Sequence, residues 1–84
     1  MFACYYTFRS LTAAQQAAML LRRFGIAASV VRTPEFAATK GCGYAVKVEG
    51  ADEASTGFIF HREGVSYMRV IHIRQDGRET GFAF

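Results

Sequence analysis

The chain has no tryptophan, one proline and only two cysteines in 84 residues. Two cysteines, Cys4 and Cys42, cannot build the disulfide framework on which small secreted domains depend. A reducing cytoplasm, where a free thiol persists, is the expected location. No Cys-x-x-Cys pair and no His/Cys group has metal-ligand spacing along the chain, so neither a metal nor a cofactor is expected. Apolar runs fall far short of the ~20 residues that span a bilayer, and no segment has the form of a signal peptide. Basic residues never form a run, although eight arginines and two lysines against seven acids leave a net charge of +3. That balance suits anionic partners in general but marks no nucleic-acid stripe, so neither a membrane nor nucleic acid is an expected partner.

What is present is apolar and foldable: 51% of residues are hydrophobic and 20% charged, which points to one globular domain over 1–84, with a core over 2–74 and a tail over 75–84. Phe2–Phe8 alternates as a strand, with Phe2, Cys4, Tyr6 and Phe8 on the face to be covered and Cys4 in the core. A helix follows. Thr12 and Gln15 have the form of a capping box, Ser10 competes as N-cap, and Ala14, Ala17, Ala18, Leu21 and Phe24 make the apolar stripe. Gly25 supplies the left-handed cap.

Ile26–Arg32 reads as a second strand ended by Thr33-Pro34, and Tyr44–Glu49 as a third. Residues 50–64 mix helix and strand signals. They are taken as a helix burying Ala54, Phe58 and Ile59 and stopped by Gly64. Val65–Arg74 is the last strand. His61 and His72 read as a surface helix histidine and a sheet histidine with no partner spacing. Tyr5, Tyr67 and Met68 are assigned to an uncovered sheet face, which invites a second copy of the chain or a partner protein.

The order β-α-β-β-α-β predicts an α+β ferredoxin-like plait, with antiparallel sheet order 4-1-3-2 and both helices on one face. In that topology the loop into the third strand opens beside the start of the first helix. The loop ends in Lys40-Gly41-Cys42-Gly43, a thiol between two residues without side chains. Cys42 is the expected reactive residue. The helix N-terminus, Arg9, Ser10, Lys40 and the backbone of Gly41 and Gly43 are expected to stabilise its thiolate. Cys4 lies about four residues, roughly 13 Å at ~3.3 Å each, before the end of its strand. A disulfide needs Cα atoms within ~7 Å, so the two cysteines are expected to stay unbridged.

Tyr6-Thr7-Phe8-Arg9-Ser10 before an alanine-rich helix, Gly25-Ile26, Thr33-Pro34, then Cys42-Gly43 followed by Ala45 together resemble the small selenium/sulfur carrier protein-like domains of bacteria. The similarity runs from about Tyr5 to Ile73. It departs at Glu35, where a basic residue commonly follows the proline, and at Lys40-Gly41, where small hydroxyl residues are usual. The resemblance implies a carrier that holds a persulfide or selenopersulfide on Cys42 and passes it between donor and acceptor proteins. This is a carrier role rather than a turnover activity, and any catalysis would be sulfurtransferase-like. The reading of the residues alone keeps a second class open: a noncatalytic ferredoxin-like module that binds a small ligand, a protein or another copy of itself across its sheet.

Overall fold

The computed structural model describes residues 2–33 and 43–74. Its elements are β1 (Phe2–Phe8), α1 (Leu11–Arg23), β2 (Ser29–Arg32), β3 (Tyr44–Glu49), a 3₁₀ turn (Gly50–Asp52), α2 (Glu53–Glu63) and β4 (Val70–Arg74). The four strands form one sheet in the order β2-β3-β1-β4, which read from the other edge is 4-1-3-2. Every neighbouring pair is antiparallel. Among the described residues no helix is long and apolar enough to cross a membrane.

The alternation in β1 decides which side the helices cover. Cys4, Tyr6 and Phe8 are buried with Val46 and Val48 of β3, Ala14, Ala17, Ala18 and Leu21 of α1, and Ile59 and Phe60 of α2 in one core. Phe60 meets Tyr6 and Phe8 edge to face, with ring centroids 5.2 and 6.2 Å apart, a geometry that adds to plain burial. The opposite sheet face carries Tyr5 beside Ile71, Ala3 beside Ile73, and Ala45 beside Val31.

Several boundaries differ from the sequence expectation. The N-cap of α1 is Ser10, whose Oγ accepts from the Ala13 amide, so Thr12 lies inside the helix. Phe24 leaves the apolar stripe: it is the C-cap, 47% exposed. Gly25 follows at φ +85°, its amide donating to Arg22 and that of Ile26 to Leu21, as a Schellman ending requires. β2 starts at Ser29 rather than Ile26. Ile26 and Ala28 are buried ahead of it, and the Ala28 carbonyl accepts from Arg22 Nε.

The second helix forms where expected and buries Ile59 as expected, but Thr56 and Phe60 complete its inward face, while Ala54 is exposed and Phe58 is 63% exposed. At 100° per residue, docking Phe60 on the sheet turns Phe58 about 200° away. β4 starts at Val70 rather than Val65. At its entrance both Met68 and Arg69 oppose Thr7. The Met68 amide donates to the Thr7 carbonyl at 2.8 Å and the Thr7 amide to the Arg69 carbonyl at 2.9 Å. The extra amide, that of Arg69, donates to Thr7 Oγ1 at 3.0 Å, a bulge that interrupts the regular ladder. Tyr67 lies on the helix side, against the rings of Tyr6 and Phe60, and not on the open face.

Candidate functional site

Of the six residues expected to build the thiolate site, Lys40, Gly41 and Cys42 lie outside the described residues. Arg9, Ser10 and Gly43 lie within them. Phe8 and Tyr44 are register partners, so Arg9 and Gly43, one residue further on in each chain direction, leave the sheet at the same end. The Thr33 amide donates to the Gly43 carbonyl at 3.0 Å. That bond ties together the two described ends of the β2–β3 connection. Arg9 and Gly43 are exposed.

The start of α1 belongs to the same end. Ser10 occupies the cap twice, its Oγ accepting from Ala13 and its carbonyl from Ala14. The amides of Leu11 and Thr12 remain at an exposed helix end. The first turn contains no acidic residue, and Arg22 and Arg23 lie in the last turn. The positive end of the helix dipole is therefore not neutralised from within the helix. An anion brought there would meet that positive end.

Sequence spacing did not reveal a second group of chemistry-bearing side chains. Cys4 and His72 are register partners on β1 and β4, and Glu53 opens α2 above them. His72 Nε2 and Glu53 Oε2 are 2.8 Å apart. Cys4 is wholly buried, and its thiol is pushed up to about 11, first by burial and then by the Glu53 carboxylate, which it also faces as a hydrogen-bond partner. Burial likewise raises the Tyr6 phenol, with Cys4 and Glu53 adding to it. His72, read from the sequence as a partnerless sheet histidine, thus has two neighbours with ligating atoms. Positions 4, 53 and 72 share no spacing signal; only the β1–β4 register and the docking of α2 unite them.

The described residues thus form a four-stranded antiparallel sheet with two helices packed on one core. The chain belongs to the family described as "Putative Se/S carrier protein-like", whose model matches residues 3–72. No curated protein and no solved structure matches it significantly.

Proposed function

We propose that this ferredoxin-like plait is a sulfur or selenium carrier, with Cys42 as the atom-bearing residue. Family membership over residues 3–72, a span that includes position 42, is the observation that carries the reading. The described surroundings support it: Gly43, bonded to Cys42, leaves the sheet at the same end as Arg9 and the Ser10-capped start of α1. Lys40 and the Gly41 and Gly43 backbone complete the positive setting in this proposal.

In the transfer, the Cys42 thiolate attacks the terminal sulfur of a donor persulfide. The donor's S–S bond breaks, its electron pair leaves on the donor thiolate, and Cys42 becomes S–S⁻. A terminal selenium would give S–Se⁻ by the same exchange. An acceptor thiolate reverses the step, so donor and acceptor proteins are needed and no base or cofactor is. Thiolate supply is the requirement.

Cys4 is unsuited to this chemistry, being sealed in the core with its pKa raised. Cys4 pairs with Val48, five residues from Gly43. At ~3.4 Å per residue that separation also keeps it out of bridging reach of Cys42, since a disulfide requires ~7 Å or less.

Incubation with a cysteine desulfurase and free cysteine, followed by peptide mass spectrometry, tests the proposal. One added sulfur on the Cys42 peptide is expected, with none on the Cys4 peptide and none in Cys42→Ser. Equal behaviour of the two proteins ends it.

The sheet face away from the helices, with part-buried Tyr5, Ile71, Ile73 and Val31, favours a second reading. On that reading the chain is a noncatalytic module that takes a ligand, a partner protein or a second copy there. The pH dependence of iodoacetamide alkylation separates the two. A Cys42 midpoint clearly below the reference of ~8.5 supports the carrier, and one at or above it supports the module.

A further inference from the structure

Cys4, Glu53 and His72 bring one thiol, one carboxylate and one imidazole from three separate elements to one place. We propose that these three side chains bind a zinc-class divalent cation and leave one coordination position open toward solvent. Their candidate ligand atoms all lie within 4.8 Å of one another. A tetrahedral site with metal–sulfur ~2.3 Å and metal–nitrogen or metal–oxygen ~2.0–2.2 Å sets ligand atoms roughly 3.3–3.6 Å apart. Glu53 and His72, now 2.8 Å apart, need to separate by about half an ångström to reach it. Their side chains are 40% and 46% exposed, which leaves room for that adjustment, while Cys4 is buried in the core.

Charge and softness choose the ion. Thiolate and carboxylate supply two negative charges and neutral imidazole none, so a divalent cation makes the site neutral, as a partly buried position requires. Sulfur and nitrogen ligands favour zinc over magnesium or calcium, which take oxygen. On binding, the metal replaces the thiol proton, which leaves to bulk water, and no electron is transferred. The Glu53 carboxylate becomes a ligand beside the Cys4 sulfur. The supporting contacts are also present. The Phe2 ring meets His72 edge to face at 5.3 Å, and the Tyr6 hydroxyl donates to the Glu53 carbonyl at 3.5 Å. Both help to fix where the ligands start from. The open position faces outward, because the two exposed ligands lie on the solvent side of the buried sulfur.

The inference is independent of the role of Cys42, and the experiment removes that thiol. Tag-free full chain carrying Cys42→Ser is titrated with Co²⁺ and followed by absorption. The expected result is a thiolate-to-cobalt charge-transfer band with the intense visible bands of a four-coordinate ion, saturating at one equivalent and bleached by Zn²⁺. Cys4→Ser should abolish the charge-transfer band, but that change is in the core and risks unfolding the chain. The half-exposed ligands therefore carry the test: His72→Gln and Glu53→Gln, each with unchanged circular dichroism, should weaken Co²⁺ binding by more than ~10-fold. A folded Cys42→Ser chain that gives no charge-transfer band overturns the proposal. So does an affinity that neither His72→Gln nor Glu53→Gln alters, and either result leaves only a His72–Glu53 contact beside an inert thiol.

Discussion

Replacing threonine by valine at two fully buried positions should shift stability in opposite directions. Thr7 and Thr56 are both 0% exposed, and valine has nearly the same shape, so packing changes little at either site. The hydroxyls differ in what they do. Thr7 Oγ1 accepts from the Arg69 amide at 3.0 Å and faces the Arg69 carbonyl at 3.5 Å. Thr56 Oγ1 has no hydrogen-bond partner among the described residues. Thr7→Val leaves the Arg69 amide without its acceptor at the entrance to β4, a loss of about 1–3 kcal/mol. Thr56→Val removes a dehydrated, unpaired hydroxyl from α2, where the two residues have similar helix propensity, and should gain about 1 kcal/mol. For a domain of this size 1 kcal/mol corresponds to about 4–8 °C in Tm. Urea and thermal unfolding followed by circular dichroism would read both, with an unchanged m value confirming that the unfolded state is not the cause. Thr7→Ser should retain most of the stability, because it keeps the acceptor. Destabilisation by Thr56→Val beyond about 0.5 kcal/mol, or an unaffected Thr7→Val, would refute the reasoning.

Three further outcomes are expected. Gly57 sits inside α2 with nothing within 4 Å of where a Cβ would stand, whereas a Cβ on Gly50 would lie 2.6 Å from the Phe2 carbonyl oxygen. Gly57→Ala should therefore stabilise by about 0.5–1 kcal/mol and Gly50→Ala destabilise by about 1–3 kcal/mol, both read as Tm shifts. Ser10→Ala removes the α1 cap and should cost about 1 kcal/mol; an unchanged Tm would mean that the exposed helix end does not need its cap. Stability should also fall at alkaline pH. Because the Cys4 pKa is raised from 9.0 to about 11, its contribution is complete below pH 9 and is lost between about 9 and 11, as the unfolded chain ionises first. The loss is of order 2–3 kcal/mol at ~1.36 kcal/mol per pH unit. Urea midpoints measured with a chelator present should fall less steeply over that range in Cys4→Ala than in wild type.

β1, β3 and α1 were legible because their signals are local. Alternation in Phe2–Phe8 and Tyr44–Glu49, and small residues at helical spacing in Ala14–Leu21, each select one conformation and one inward face. The second helix was legible in its position, through Gly64, but not in its rotation. Phe58 and Phe60 are equally apolar, and only the rings of Tyr6 and Phe8 decide which is buried. The late start of β4 was hidden for the same reason, since Thr7 captures Arg69 across 62 positions.

The candidate thiol Cys42 stood out by motif and the Cys4–Glu53–His72 group did not, and the difference is physical. A Gly-Cys-Gly stretch advertises itself in consecutive residues, whereas a ligand set drawn from two strands and a helix has no linear signature. The order of elements, the inward residues at the centre of β1, β3 and α1 and the candidate thiol were thus legible in the chain alone, through periodicities of two and 3.6 that need no partner. Which side chains meet across the sheet, which face of α2 turns inward and what surrounds the buried sulfur were decided only in three dimensions. Those outcomes depend on strand register and on the competition of aromatic rings for the same core.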